Sequence, residues 1–224
     1  MPPARHRFRA VVFDLDGTLI DSAPDIADAL NMVLADLGRI ALRETVVRDM
    51  VGSGWAGLLE RVLDMTGGAP DQGLDWVVER FRGYYVPRST RLSSLYPTAM
   101  ETVQLLHGQG IKLGICTNKR QEATDVVVEN FGLRRFMDSV IGGDTTGAMK
   151  PDPRHLGAVL TELGVDGSAS LMVGDSKADV EAARALAMPV VVVSYGYTAI
   201  PADELDGDAL IDRLAQLPEL LPQL

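Results

Sequence analysis

Four short apolar runs, rich in β-branched residues, recur along the chain: Val11–Phe13, Lys112–Ile115, Ser170–Val173 and Pro189–Val193. Near-continuous runs of this kind suit a sheet covered on both faces, where each side of a strand meets protein. Helix-periodic segments separate them: Pro97–Gln109, Gln121–Asn130, Pro153–Leu163 and Lys177–Ala187. In the first of these, Met100, Val103 and Leu106 share one face. The alternation predicts an α/β fold, a doubly wound parallel sheet of Rossmann-like type.

Residues 20–91 break the alternation. Ser22-Ala-Pro24-Asp25 has the form of a capping-box helix start, with Pro near the first turn. Ile26, Leu30, Val33 and Leu37 then form one apolar stripe, and Gly38 stops it. Further helices are expected over 43–50, 56–65 and 74–85, and no strand is evident. The expected organisation is a catalytic core, residues 1–19 and 92–224, with an all-helical cap, residues 20–91, inserted after the first strand.

Ligands of open α/β sheets sit beyond the carboxyl ends of the strands. Polar clusters fall there three times: Asp14 with Asp16, then Thr117-Asn118-Lys119, then Gly174-Asp175-Ser176 with Asp179. The loop Gly142–Pro153 adds Lys150 between two helical layers. Asp14 and Asp16, two residues apart on extended backbone, face the same way and repel. A divalent cation is the natural counter-charge.

Bulk properties narrow the partners. A net charge of −10 argues against nonspecific nucleic-acid binding, and an anionic substrate must be attracted by a local site. No apolar run approaches the ~20 residues of a membrane span. The start, MPPARHRFRA, has no apolar h-region and reads as no signal peptide. Cys116 is the one cysteine, which excludes an internal disulfide and fits a reducing, cytoplasmic compartment. By itself it suits a small buried core position. His6, His107 and His155 lack metal-ligand spacing and are expected to be structural or exposed. Gly52-Ser-Gly54-Trp-Ala-Gly57 fits the dinucleotide pattern GxGxxG, but a helix-like segment precedes it and no second strand ending in an acid follows. A cap turn is expected there, with backbone N–H groups or Trp55 toward a substrate.

The clusters together resemble the haloacid dehalogenase-like phosphatase superfamily: DLDGT at Asp14–Thr18, then Thr117, Lys150 and GDSKAD at Gly174–Asp179, in that order over nearly the whole chain. The residues alone leave open which of the first two aspartates does what. The resemblance implies that Asp14 is the nucleophile and Asp16 the general acid/base. It implies Mg²⁺ held by Asp14, Asp175 and the Asp16 backbone carbonyl, with Asp179 as a ligand or support. Lys150 and the Thr117 hydroxyl would hold phosphoryl oxygens, with Asn118, Gly52 and Gly54 also at the substrate. An aspartyl-phosphate would split one hard displacement into two easier ones.

Asp16 argues against a dehalogenase, which has no leaving alkoxide to protonate. Residues 20–91 contain neither Lys nor His, unlike phosphonatase and hexose phosphate mutase caps; their cations are Arg39, Arg43, Arg48, Arg61, Arg80, Arg82, Arg88 and Arg91. FDLDGTLIDSAPDIADALN, VGSG…LLERVL, GGDT…KPDP and MPVVVVSYGYT resemble the bacterial phosphoglycolate phosphatase family. Thr198 and Met149 depart from it, where Asn and an Arg-like residue are common. The implied substrate is 2-phosphoglycolate, a small phosphorylated metabolite, hydrolysed by a monomer or homodimer. A sugar-acid phosphate or pyrophosphate is the alternative substrate. A phospho-accepting receiver module uses similar residues around Mg²⁺, but it is far shorter and lacks the helical insertion.

Overall fold

The computed structural model describes residues 7–224; His6 and the five residues before it lie outside them. From β1 (Ala10–Phe13) the chain passes through β2 (Ile20–Asp21) into four helices. These are α1 (Ala23–Asp36), α2 (Glu44–Arg48), α3 (Gly54–Thr66) and α4 (Gly73–Tyr85). The chain returns through β3 (Ser94–Leu95). It then alternates through α5 (Ala99–Gly108), β4 (Lys112–Cys116), α6 (Gln121–Asn130), β5 (Ser139–Ile141), α7 (Pro153–Leu163), β6 (Ser170–Gly174), α8 (Lys177–Ala185) and β7 (Val190–Val193). β8 (Ala209–Ile211) and the turn α9 (Leu217–Leu220) follow. The large sheet has the order β5-β4-β1-β6-β7-β8, and every neighbouring pair is parallel. No helix among the described residues is long and apolar enough to cross a membrane.

The apolar strand runs follow from this architecture. Val11 and Phe13 of β1 pack on one face with Val103 and Leu106 of α5 and Val127 of α6. Ala10 and Val12 pack on the other with Val159 of α7 and Ala183 of α8. A third apolar cluster belongs to the helical cap: Ile26, Leu30 and Val33 of α1 meet Trp55, Leu59, Phe81 and Tyr85. Phe81 stacks on Tyr85 at 5.2 Å, and Trp55 stands edge-on to both. Ala123 of α6 joins this cluster, so the cap rests on the core through apolar contact.

Two strands of the sheet, β5 and β8, carry no sequence signal. Each has three residues, too short to show a period, and β8 is an edge strand with Leu210 exposed. The loop bearing Lys150 therefore follows a strand, β5, and lies at the rim with the other clusters rather than between two helical layers.

The capping box at Ser22 does not form. Ser22 sits at φ −100°, ψ −7°, and its side chain makes no cap hydrogen bond. The Tyr197 hydroxyl instead accepts from the backbone N–H groups of Ser22 (2.7 Å) and Ala23 (3.0 Å). The buried Asp25 carboxylate accepts from Leu92 N (2.9 Å), Ser93 N (2.8 Å) and the Ser93 hydroxyl (2.6 Å). It fastens the outgoing connection of the cap to the returning one, next to the antiparallel pairing of Ile20 with Leu95 and Asp21 with Ser94. Asp25→Ala leaves these donors without a partner. It is expected to cost about 3 kcal/mol, read as a lowered urea midpoint; a loss near zero would mean that water replaces the carboxylate.

Candidate active site

The strand order puts three loop ends side by side. β1 lies between β4 and β6, so the residues after Phe13, Cys116 and Gly174 share one rim. Asp14 follows β1 and donates its N–H to Val173 O of β6 at 2.9 Å. Thr117 follows β4 and donates its N–H to Ile141 O of β5 at 3.1 Å. Asp175 follows β6, and Asp179 lies in the first turn of α8. Asp14, Asp175 and Asp179 are all buried, and each offers a carboxylate oxygen within 4.8 Å of the others.

Lys150 closes this cluster. Its ammonium lies 2.9 Å from Asp14 Oδ1 and donates to Asp179 Oδ1 and Cys116 O, each at 2.6 Å. Burial alone would lower the lysine pKa, but Asp14 and Asp179 outweigh burial and raise it. Burial pushes the Asp14 carboxyl above the usual carboxylate range, although Lys150 pulls it down. Asp175 is pushed up by burial and then by Asp14 and Asp179. The Thr18 hydroxyl (2.9 Å) and Tyr197 N–H (2.7 Å) donate to Asp175. Gly17, at φ +86°, is where Asp175 approaches the backbone; a Cβ there would collide with the carboxylate. Asp179 is also the first-turn acid of a capping box whose N-cap is Ser176.

Asp16 is not part of the carboxylate trio. Both its oxygens lie 3.0 Å from the ammonium of Lys119, which also donates to the hydroxyl of Tyr85 in α4. The repulsion evident in the sequence thus meets two lysines, Lys150 at Asp14 and Lys119 at Asp16. Sequence reasoning placed Lys119 in the cluster but gave it no role. Its signal is position alone, two residues beyond Thr117 in the same loop.

A pocket separates this rim from the cap. Its polar wall is Asp14, Asp16, Thr117, Asn118 and Lys119; its cap wall is Gly52, Gly54 and Trp55 with Ile26, Val51, Leu58 and Phe81. The pocket is partly open, and the space it leaves for water is about 30 Å³. Asn118 lines the pocket, but its amide ties cap to core: it donates to Gly52 O and Lys150 O (each 2.9 Å) and accepts from Lys150 N (2.8 Å). Gly54 opens α3 at φ +73°, and a Cβ there would sit 3.1 Å from Met149 Sδ. The glycine segment joins α2 to α3, helix to helix. None of the eight cap arginines lines the pocket. Arg48 pairs with Asp21 and Glu44, and Arg61 donates to Ser53 Oγ and Met50 O.

The remaining singled-out residues are structural. Cys116 is buried, with its thiol pushed up to about 12 by burial. His155 is buried between Thr117 O (3.0 Å) and Thr146 Oγ (3.1 Å), and burial lowers its pKa. His107 lies edge-on to Phe136. Because Lys150 is fully engaged by protein groups, Lys150→Met strands two buried carboxylates. The variant is expected to lose about 3–5 kcal/mol of stability in urea titration; a cost below about 1 kcal/mol, the level of an exposed ion pair, would contradict this buried pairing.

The family model for haloacid dehalogenase-like hydrolases matches residues 8–186. A phosphoglycolate phosphatase of Rhodospirillum rubrum is 41% identical over 218 residues, covering 95% of this chain and 90% of that protein. A plasmid phosphoglycolate phosphatase of Cupriavidus necator is 40% identical, covering 95% and 92%. The crystal structure of a predicted phosphoglycolate phosphatase from Haemophilus somnus superposes with a TM-score of 0.93 at 29% identity, covering 97% of this chain and 99% of that one. The family model spans most of the chain, and the chain belongs to the haloacid dehalogenase-like hydrolases.

Proposed function

We infer that this chain is a Mg²⁺-dependent phosphomonoesterase whose substrate is 2-phosphoglycolate, released as glycolate and phosphate. The observation that carries the chemistry is Asp14: a buried carboxylate at the end of β1, facing the pocket and oriented by Lys150 and by Leu15 N–H at 2.7 Å. The substrate rests on the relatives, whose printed names are phosphoglycolate phosphatases at 36–41% identity.

The donor set fits Mg²⁺. Three buried carboxylates face one buried ammonium, which leaves excess negative charge on hard oxygen donors. Asp14 and Asp175 would hold the ion with the Asp16 backbone carbonyl; Asp179, engaged by Lys150 and Ser176, supports them. Bound Mg²⁺ supplies charge neutralisation and orientation for the phosphoryl group. Asp14 attacks phosphorus and becomes the aspartyl-phosphate, while Asp16 gives a proton to the departing oxygen. Asp16 then takes a proton from the water that releases phosphate. The Lys150 charge neutralises the non-bridging oxygens and the Thr117 hydroxyl orients them.

In this reading the cap opens to admit the ester and closes over it. The mobile unit in this reading is residues 20–91 against 1–19 and 92–224, with the β2–β3 ribbon as connector. A sugar-acid phosphate or pyrophosphate is the alternative substrate. Self-labelling without sustained phosphate release would instead mark a phospho-accepting module. The test is a panel of phosphate esters with Mg²⁺. Phosphoglycolate is expected to have the highest kcat/KM, and Asp14→Asn to abolish turnover on all of them while keeping the fold. Clear preference for a sugar-acid phosphate or pyrophosphate overturns the substrate, and turnover by Asp14→Asn within a few-fold of wild type overturns the nucleophile.

The raised carboxylates also tie metal binding to pH. Above about pH 4 an unfolded aspartate has lost its proton, whereas folded, metal-free Asp14 and Asp175 retain theirs to higher pH. Their contribution to metal-free stability is therefore present at low pH and lost as pH rises through the raised values. Mg²⁺ must displace those protons. The rise in Tm on adding saturating Mg²⁺ is expected to be larger at pH 8 than at pH 5.5. An equal rise at both would refute ligation by these carboxylates.

A further inference from the structure

The proposed substrate carries two anionic groups, and the phosphate-side residues account for only one. The carboxylate needs its own counter-charge, and the pocket offers few. Lys150 has three protein acceptors for its three N–H bonds. The cap arginines lie outside the pocket, and much of the cap wall is apolar: Ile26, Val51, Leu58 and Phe81. Lys119 is the cation that lines the pocket.

Its hydrogen bonds leave room for a ligand. The two 3.0 Å contacts both go to one carboxylate, that of Asp16, and one N–H between the two oxygens can serve it. A second N–H is directed to Tyr85. If Asp16 accepts a single bond, the third is free for an incoming anion. The ammonium is held charged, since Asp16 and Tyr85 outweigh the effect of burial.

The covalent structure of the substrate favours the same position. In 2-phosphoglycolate the carboxylate carbon is two bonds from the bridging oxygen. A group that serves the bridging oxygen and a group that holds the carboxylate must then be neighbours. Asp16 and Lys119 are in direct contact. Resting on the phosphomonoesterase reading of this pocket, we propose that the Lys119 ammonium recognises the substrate carboxylate and so selects short phosphorylated acids. The residue is a specificity determinant, set in the core rather than in the cap. Longer acids, whose carboxylate lies further from the bridging oxygen, overshoot it.

The test compares two alkyl esters that differ in the carboxylate, 2-phosphoglycolate and ethyl phosphate. It adds their uncleavable counterparts, 3-phosphonopropionate and propylphosphonate, as inhibitors. Because both esters need a proton on an alkoxide, any disturbance of Asp16 affects both. In Lys119→Met the loss of kcat/KM on phosphoglycolate is expected to exceed that on ethyl phosphate by about 30-fold or more. The preference for 3-phosphonopropionate over propylphosphonate should collapse in parallel. Lys119→Arg, which keeps the charge, should retain most of that preference, and Lys119→Gln should not. This pair decides the matter if the Met variant does not fold. Equal losses on the two esters, or a preference that survives in Lys119→Gln, would overturn the assignment while leaving the substrate reading intact. A wild-type enzyme that does not distinguish the esters would overturn both.

Discussion

Like charges can be buried at the ends of neighbouring strands only if counter-charges and hydrogen bonds offset their repulsion. Here that condition is met twice. Lys150 bridges Asp14, Asp179 and Cys116 O, and Lys119 faces Asp16. The pairings depend on strand order. With β1 between β4 and β6, the loops after all three strands converge, and the β5–α7 loop delivers Lys150 from one side. A different order would leave the same residues unpaired and the rim unstable. Sheet topology and site electrostatics are one constraint seen at two scales.

The residues readable from sequence are those whose position follows from a strand end. Asp14, Thr117 and Asp175 each come directly after a strand, and the structure brings them to one rim with Lys150. The helices Gln121–Asn130 and Pro153–Leu163 are also where periodicity puts them. What sequence missed depends on long-range contact. Asp25 has the local look of a capping-box acid, but its partners are 67 and 68 residues away. Lys119 and Tyr85 meet across 34 residues and two structural layers. Asn118 lines the pocket, and its amide's hold on Gly52 and Lys150 has no signal in the sequence. β5 and β8 escape because three residues carry no period.

The pocket has two unlike walls. The core wall is charged and hydrogen-bonded, and its groups are oriented before any ligand arrives. The cap wall is largely apolar, with glycine backbone at Gly52 and Gly54, and is backed by the packed rings of Trp55, Phe81 and Tyr85. In the proposed cycle, closure would remove apolar surface and water together and strengthen the electrostatics on the opposite wall. The cap arginines mostly make contacts of their own, such as Arg80 with Asp36 and Arg82 with Glu122.

The ribbon formed by β2 and β3, with Asp25 bound to Leu92 and Ser93, brings the two ends of the insertion together. To the sheet, a four-helix unit is equivalent to a tight hairpin. The entropy of closing a loop grows only with the logarithm of its length once its ends are held. Helices can thus be added, shortened or exchanged beyond that ribbon at little cost to the strands below. Evolution can vary the lid with the strands left intact, and a grafted lid would need to match two short strands, one carboxylate and the cap-side partners of Ala123, Asn118 and Lys119.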